Sequence, residues 1–524
     1  MAIFPSGKKL TEISLSFLGS SFISIVLGLI ATLGYAPYRM WPVTMATLVG
    51  LFVLITKLKT KKAVFFTTLF YFLSLNLITL NWLSFVMEGF GEMSPFAVWP
   101  IITIFSCYLA LPYAIGAVIS KKLCKNRDGL FLCAFIPAIF SIADFIVGYI
   151  FGGFPWMYVG NTLIEASPFL GYIPILGVRG LNTILFFTVG ALTLGVMRKF
   201  LYLPIVCLIL AIGSFTSSVN YVNDGKKPLN VAMVQANIPQ VLSYSQDYVD
   251  MIVGTLWSLS QDLFSKNDLI IWPESALPMR IGSNLQLLSD LNAIAFENKT
   301  NLVTGIISSD SNNKAYNSMF VLGKDEQIKD FTTYNKRKLV PFGEFVPFES
   351  ILRPLGKIFN IPMSSFSNGL KDQSPILAGG LLFTPAICYE AIYPEVISRL
   401  NNKETSGILM ISNDTWFGPT RAPYQHLDMA RMRSMELQKP MLRATNSGFT
   451  ALIDKRGNIV DSLKFETQSV LKVKFTPSYG LTPYARFGDF GVCILIAILL
   501  VSGIAFGLKK EDKLNDTLQK IVRP

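Results

Sequence analysis

The chain has 524 residues, of which 51% are hydrophobic and only 15% are charged, and its mean hydropathy is +0.46. Soluble domains carry about 25% charged residues, so this composition excludes a disordered chain and argues against a fully soluble enzyme. The formal net charge is +12, but the surplus of Lys and Arg lies beside apolar segments. That placement is typical of a membrane protein and disfavours a nucleic-acid partner.

Eight apolar segments predict membrane-spanning helices. A span needs roughly 20 apolar residues, and the short segment 42–56 is the weakest of the set. The segments are 13–33, 42–56, 63–87, 95–119, 130–151, 173–197, 201–219 and 490–508.

Basic residues cluster before the first segment and then in every second loop. Because such clusters stay on the cytoplasmic side, we expect both termini in the cytoplasm and 221–488 on the outer side. The clusters are Lys8 and Lys9, then Lys57, Lys59, Lys61 and Lys62, then Lys121, Lys122, Lys125 and Arg127, then Arg198 and Lys199, and finally Lys509, Lys510 and Lys513.

After a polar linker at 216–230, short apolar strands alternate with helical patterns, which favours sheets covered by helices. Strands are predicted at 230–238, 268–275, 301–308, 316–323, 380–388, 407–414 and 441–454, and helices near 245–265, 284–298, 391–401 and 424–438. We therefore predict a multi-pass α-helical membrane protein with an inserted α/β domain. Its parts are a membrane domain of seven helices at 1–220, a catalytic domain at 221–488, and a last transmembrane helix with a cytoplasmic tail at 489–524.

Six cysteines without a CxxC spacing disfavour a disulfide framework or a zinc site. The single histidine, His426, excludes any mechanism that needs two imidazoles, and a structural role is expected for it. Asn413 and Asp414 follow a strand and could either line a pocket or cap a turn. No metal or cofactor is predicted.

Three polar residues each close or follow a predicted strand: Glu274, Lys336 and Cys388. A thiol where a strand gives way to a helix lies by a helix N-terminus, which favours the thiolate. A carboxylate can take the thiol proton, and an ammonium can stabilise a tetrahedral oxyanion. Taken singly, each residue also has a structural interpretation, as a core cysteine, a helix cap or a solvated lysine.

Seven segments carry a family resemblance: GFPW (153–156), VQANIPQ (234–240), IIWPES (270–275), YNKRKLVPFGEFVP (334–347), ICYE (387–390), ISNDTWFG (411–418) and QHLDMARMRSMEL (425–437). They resemble segments of the nitrilase (carbon–nitrogen hydrolase) superfamily and, within it, of the apolipoprotein N-acyltransferase family. The resemblance implies an α-β-β-α sandwich with Glu274 as base, Lys336 as oxyanion stabiliser and Cys388 as nucleophile.

The same resemblance implies supporting roles for Glu344, Tyr389, Glu390 and Asn317. The family has a tryptophan at the position of Tyr244, where a tyrosine keeps an aromatic wall and adds a hydroxyl. The glycine in PFGEF also lets the chain turn so that Glu344 could orient Lys336.

The implied function is transfer of an acyl chain from a membrane phospholipid, through a cysteine thioester, to the α-amino group of a diacylglyceryl-cysteine on an apolipoprotein. The implied location is the bacterial inner membrane, with the catalytic domain in the periplasm. Two alternatives stay open: a membrane-anchored amidase that hydrolyses carbon–nitrogen bonds, and a transporter or scaffold whose outer domain only binds. Transport is disfavoured because the spans contain few ionisable residues, chiefly Asp144 and Arg179.

The segment 345–375 mixes apolar residues with Pro and Gly. Exposed in water it would form a large apolar patch. It is therefore expected either to dip toward the outer leaflet as a lid or to pack on the sheet as an internal helix.

Overall fold

The structure is a computed structural model that describes residues 17–124, 127–239, 248–328, 331–347 and 365–522, with side chains to residue 507. Tyr244 and residues 348–364 of the predicted lid lie outside the described residues.

Helices occupy all eight predicted apolar segments. Six of the described helical segments are long and apolar enough to cross a membrane, and the apolar helices at Trp41–Lys57 and Phe200–Thr216 are shorter. The chain is therefore a multi-pass membrane protein, while the number of eight spans stays a prediction. The helices of this half are α1 (Phe17–Ala31), α2 (Trp41–Lys57), α3 (Lys61–Thr79), α4 (Trp82–Gly89), α5 (Pro95–Leu123), α6 (Asp128–Leu130), α7 (Ile136–Tyr149), α8 (Ser167–Leu170), α9 (Ile173–Val196) and α10 (Leu203–Thr216).

Two apolar segments are less regular than their hydropathy predicts. The segment 63–87 is two helices, α3 and α4, because the chain turns at Leu80 and Asn81. Helix α9 is kinked at Gly177, whose φ is +66°. A Cβ there would lie 2.5 Å from the Tyr484 ring, so only glycine permits this close approach.

In the described residues, the second half contains two large sheets, a third sheet of two strands, and six α-helices. The helices are α11 (Val249–Ser260), α12 (Leu285–Glu297), α13 (Pro394–Leu400), α14 (Ala422–Leu437), α15 (Pro483–Phe487) and α16 (Phe490–Val522). The strands are β1 (Val222–Asp224), β2 (Leu229–Gln235), β3 (Leu269–Ile271), β4 (Leu277–Arg280), β5 (Asn301–Ser309), β6 (Ala315–Leu322), β7 (Tyr334–Asn335), β8 (Ile376–Ala378), β9 (Leu381–Ile387), β10 (Gly407–Ser412), β11 (Met441–Thr445), β12 (Ala451–Ile453), β13 (Ile459–Ser462), β14 (Ser469–Phe475) and β15 (Ser478–Gly480).

The two large sheets pack face to face between two layers of helices. One sheet has the order β14-β2-β3-β5-β6-β7, with β4 beside β5, and the other has the order β13-β12-β11-β10-β9-β8. Apolar residues of both sheets, such as Met233, Ile271, Ile387 and Leu409, form the core between them. Helices α11 and α12 cover the outer face of the first sheet and α14 that of the second. The predicted α-β-β-α sandwich is confirmed.

Two predicted segments differ from the structure. The predicted strand 441–454 is two antiparallel strands, β11 and β12, with Met441 opposite Ile453, because the polar sequence at 446–448 turns the chain. The predicted linker 216–230 contains β1, which pairs with β15. Strand β1 has only three residues, which is too few for an alternation of apolar residues to reveal it. It forms because it pairs with β15, which lies far along the chain.

Helix α14 joins the two halves. All of its residues except Tyr424 are buried, although it carries four charged side chains. Two of these charges form ion pairs across the junction, Asp428 with Arg39 at 2.8 Å and Arg431 with Glu165 at 2.7 Å, while Arg433 and Glu436 pair within the helix. The helix therefore lies between the second sheet and the membrane bundle.

Candidate active site

Four side chains from separate segments form one buried polar network. Lys336 Nζ lies 3.0 Å from Oε1 of Glu274 and 3.0 Å from Oε1 of Glu344. The Asn317 amide donates to the same two oxygens, at 2.8 and 2.7 Å. The ammonium and the amide therefore hold together two carboxylates that would otherwise repel each other.

Lys336 is the charged centre of this network, and only 1% of its side chain is exposed. Burial alone would lower the pKa of Lys336, but the carboxylates of Glu274 and Glu344 outweigh that effect and raise the pKa well above its usual value. The group stays an ammonium at neutral pH, as an oxyanion stabiliser must.

The backbone around Glu274 is set by its contact with β5. Gly305 lies under the turn that follows β3, and a Cβ at Gly305 would lie 2.5 Å from the Ser275 nitrogen. The Gly305 nitrogen donates to the Pro273 carbonyl at 3.2 Å. A glycine in the neighbouring strand thus lets the IIWPES turn approach closely enough to carry its carboxylate inward.

Lys336 and Glu344 are placed by backbone contacts. Strand β7 pairs with β6, and the Lys336 nitrogen donates to the Asn317 carbonyl at 2.8 Å. Glu344 accepts a hydrogen bond from the Val340 nitrogen through Oε2 at 2.8 Å. The expected orienting role of Glu344 therefore has a direct geometric basis.

Cys388 follows β9 directly and begins a 3-10 helix, Cys388–Ile392. Its φ is +48°, a left-handed conformation that costs energy for any residue with a side chain. The side chain is buried, with 6% exposed. The sharp turn projects the thiol out of the strand toward the network.

The expected thiolate at Cys388 is not supported. Burial and then the charge of Glu274 raise the pKa of the thiol, while Lys336 lowers it only in part. The helix that begins here has a single 3-10 turn, so its dipole is too small to offset burial. The resting group is a thiol whose proton must be removed for attack.

Glu390 connects the turn at Cys388, the predicted nucleophile, to the segment that contains Lys336. One carboxylate oxygen accepts from the Arg337 nitrogen at 2.7 Å and the other from the Ile387 nitrogen at 2.8 Å. The Tyr334 hydroxyl donates to the same carboxylate at 2.8 Å. Burial raises the pKa of Glu390, and these donors counteract the shift only in part.

Tyr389, the other predicted neighbour of the nucleophile, is buried, and its ring meets that of Tyr393 at 5.4 Å. Its contact with the cluster of apolar residues in the membrane half is consistent with a wall of the site.

A second polar cluster lies behind Cys388. His426 Nε2 is 3.0 Å from the Cys388 carbonyl oxygen, and Nδ1 is 2.9 Å from Asp414. Arg443 donates to the other oxygen of Asp414 at 2.7 Å. Asn413 accepts from the Thr415 nitrogen at 3.3 Å and so caps the following turn.

Aromatic side chains of the membrane half pack against Trp416 and Phe417, which lie beside His426 in the second half. The Phe417 ring lies 5.1 Å from Trp82 and 5.8 Å from Trp156. The Phe90 ring lies 4.7 Å from Trp416. These contacts place the predicted site against the bundle.

The structure thus brings Glu274, Lys336, Glu344 and Asn317 together, with Cys388 close enough for the first two to change its pKa. Tyr334 and Arg443 were not singled out from the sequence. Two signals in the sequence could have revealed them. Tyr334 lies two residues before Lys336 in the same motif, and Arg443 is a charged residue within the apolar strand MLRAT. Within the described ranges, no group of three or more His, Cys, Asp or Glu side chains could hold a metal ion, and the prediction of no cofactor stays a prediction.

Two family models match the two halves of the chain. The model of the apolipoprotein N-acyltransferase N-terminal domain matches residues 27–191, and that of carbon-nitrogen hydrolase matches residues 230–483. A solved CN-hydrolase superfamily protein from Xanthomonas campestris is 15% identical, with a TM-score of 0.36, and covers 48% of this chain and 91% of its own.

Two relatives named apolipoprotein N-acyltransferase match almost end to end. That of Vibrio cholerae is 36% identical over 93% of this chain and 96% of its own length, and that of Photobacterium profundum is 35% identical over 97% and 99%. Matches of this extent cover the membrane bundle, the sandwich and their junction alike. The chain is an enzyme that belongs to the apolipoprotein N-acyltransferase family.

Proposed function

We propose that the chain transfers an acyl group in two steps through a thioester on Cys388, with Glu274, Lys336 and Cys388 as catalytic residues. In the first step Glu274 takes the thiol proton, the sulfur attacks a phospholipid ester carbonyl, and Lys336 stabilises the oxyanion. The ester C–O bond then breaks, the lysophospholipid leaves with the proton from Glu274, and the acyl group stays on sulfur.

In the second step an amine attacks the thioester carbonyl. Glu274 accepts the amine proton, the C–S bond breaks, and the proton returns to the Cys388 sulfur. An amide is more stable than a thioester, so this step makes the sequence favourable. The acceptor is the α-amino group of the diacylglyceryl-cysteine that begins an apolipoprotein.

The single observation that carries this proposal is the buried ion pair of Lys336 and Glu274, at 3.0 Å, next to a buried thiol that both charges affect. Such a thiol is a poor nucleophile until a neighbouring base removes its proton. Glu344 and Asn317 keep that base and Lys336 in fixed positions. Glu390 supports the turn at Cys388, and Tyr389 and Tyr244 are supporting or substrate-binding residues.

The membrane bundle supports a lipid donor. Aromatic rings of α4 and the GFPW loop pack on Phe417, which contacts His426, and apolar residues such as Phe96 and Ile104 on α5 are exposed. A donor whose chains remain in the membrane can present its ester at this junction. A water-soluble amide would not need such a wall, which disfavours the amidase alternative.

Intact-mass spectrometry of the purified protein with phospholipid tests the first step. We expect an acyl-sized adduct that hydroxylamine removes and that Cys388→Ala lacks. Cys207→Ala, the same substitution at an exposed cysteine, should keep the adduct. An adduct that persists in Cys388→Ala would refute the assignment.

A synthetic diacylated lipopeptide tests the second step. We expect the adduct to disappear as the N-acylated lipopeptide forms. Release of free fatty acid without N-acylation would instead support hydrolysis by an amidase-like enzyme.

The proposal includes a bacterial inner-membrane location, cytoplasmic termini, and the division into 1–220, 221–488 and 489–524. An impermeant maleimide applied to spheroplasts should label Asp461→Cys, in the exposed strand β13, but not Lys59→Cys, which is exposed between α2 and α3. The reverse labelling would refute this orientation.

A further inference from the structure

Helix α9 of the membrane half is broken where it meets helix α14. Gly177 leaves the helical conformation, with a φ of +66°, and the Tyr484 ring packs against it. The first N–H groups of a helix have no acceptor within that helix. The Val178 nitrogen, directly after the break, donates to Oε1 of Glu436 on α14 at 2.9 Å. A side chain of the second half therefore caps the part of α9 that follows the break.

Glu436 forms an ion pair with Arg433, which lies one turn earlier on α14. Nη2 of Arg433 donates to Oε1 of Glu436 at 2.9 Å, and Nε lies 2.7 Å from Oε2. Both side chains are buried, with 2% and 1% exposed. Burial raises the pKa of Glu436 to about 6, and the charge of Arg433 and the Val178 N–H limit the rise. The carboxylate is therefore ionised at neutral pH.

Arg433 also reaches the turn that carries the predicted nucleophile. Its Nη1 donates to the carbonyls of Ala391 and Ile392, at 3.3 and 3.5 Å. These residues end the 3-10 helix Cys388–Ile392, and the last carbonyls of a helix lack a donor within it. Cys388 begins this helix with a φ of +48°, a strained conformation that persists only where surrounding contacts fix it. Arg433 therefore holds the far end of a strained turn.

A second contact from α9 ends on the same stretch of chain. Nη2 of Arg179, the residue after Val178, donates to Oε2 of Glu395 at 2.9 Å. Glu395 lies in the first turn of α13, directly after the Cys388 turn. Two consecutive residues of one membrane helix thus connect to the segment 388–400 at two points.

We propose that Arg433 and Glu436 are positioning residues, which connect the break in α9 to the Cys388 turn and hold the thiol in its orientation for attack. The membrane helix thereby sets the geometry of the candidate site through one hydrogen bond and one ion pair. Neither side chain exchanges a proton with substrate or forms a covalent bond. The role rests on the proposed function for its benefit to acyl transfer, whereas the connection itself needs no acyl substrate.

Hydrogen exchange of the full chain in lipid nanodiscs tests the connection. Arg433→Met combined with Glu436→Gln removes both charges together, so that no buried charge is left unpaired, and the glutamine oxygen can still accept from Val178. We expect the amides of 389–393 to exchange about 10- to 100-fold faster than in the wild type, from the loss of a charged donor. The core strand β10 should keep its wild-type exchange, because a local opening does not unfold the core.

Val178→Pro interrupts the same connection from the membrane side. Proline has no N–H and is tolerated at the first position of a helix, so the substitution chiefly removes the donor to Glu436. We expect the amides of 389–393 to exchange about 2- to 10-fold faster, although the change lies in α9. As a control, Arg39→Met with Asp428→Leu removes another ion pair between α14 and the bundle and should leave these amides at the wild-type rate.

Wild-type exchange at 389–393 in both interrupting variants, or an equal acceleration there and in β10, would overturn the proposal. Val178→Pro decides alone if the double variant does not fold. With phospholipid, the maximal rate of Cys388 acylation should fall in the same order, while the lipid concentration that gives half of that rate stays unchanged. If exchange follows the expected order but phospholipid never acylates the wild-type protein, the proposed function fails and the connection stands.

Discussion

An isosteric change at Glu344 should slow acyl transfer even though it alters neither volume nor shape. Glu344 receives three donors: Lys336 and Asn317 at one oxygen, at 3.0 and 2.7 Å, and the Val340 nitrogen at the other, at 2.8 Å. A carboxylate accepts at both oxygens, whereas a glutamine amide accepts at one. In Glu344→Gln, therefore, either the Val340 nitrogen or the pair of Lys336 and Asn317 faces an NH₂ group.

The magnitude follows from that mismatch. A buried donor left without its acceptor costs about 1–3 kcal/mol, and the loss of the negative charge removes one of the causes that raise the pKa of Lys336. We expect the rate of Cys388 acylation to fall roughly 10- to 100-fold. Thermal stability should fall as well, since the mismatch exists in the resting protein.

Single-turnover acylation followed by intact mass measures the effect. Glu297→Gln makes the same chemical change at an exposed position at the end of α12 and should acylate at the wild-type rate. If Glu344→Gln acylates within twofold of wild type, the carboxylate does not hold Lys336 and Asn317 in the way that the geometry indicates.

Three further changes test other contacts. Arg179→Met leaves two carboxylate partners without their cation and should cost about 3 kcal/mol, seen as a lower midpoint of thermal unfolding. Burial lowers the pKa of Lys439 to about 7, so between about pH 7 and 10 this lysine is protonated in the unfolded chain and neutral in the folded one. The free energy of unfolding therefore rises with pH in this range, and Lys439→Met should remove that rise from the midpoint of thermal unfolding. Because the charge of Glu274 raises the pKa of Cys388, Glu274→Gln should move alkylation of the thiol to lower pH while abolishing acylation, and an unchanged pH profile would contradict that electrostatic contact.

Much of the fold could be predicted because long apolar runs and strand–helix alternation are local signals. Strands β5 and β6 lie within one residue of the predicted bounds. The strand β1, by contrast, has three residues and exists because the distant strand β15 pairs with it. No local pattern records such a partner.

The site could be predicted as a set of residues but not as an electrostatic arrangement. The motifs indicated Glu274, Lys336 and Cys388, yet the sequence argument expected a thiolate. Helix position is visible in a sequence, whereas burial depth and the short length of the helical turn are not. Asp414 was left between lining a pocket and capping a turn, and His426 was given a structural role, because only the folded chain shows the carbonyl that the imidazole faces.

The geometry also indicates why the two halves act as one enzyme. Tyr393, five residues after the nucleophile, donates through its hydroxyl to the Gly153 carbonyl at 2.8 Å. Trp156 in the same membrane-side loop donates to Gln425 at 2.7 Å, one residue before His426. Tyr393 and Gln425, which lie close in sequence to Cys388 and His426, therefore both bind the GFPW loop of the bundle. The geometry of the candidate site is thus tied to the membrane bundle, and a sandwich without its bundle would lose these contacts together.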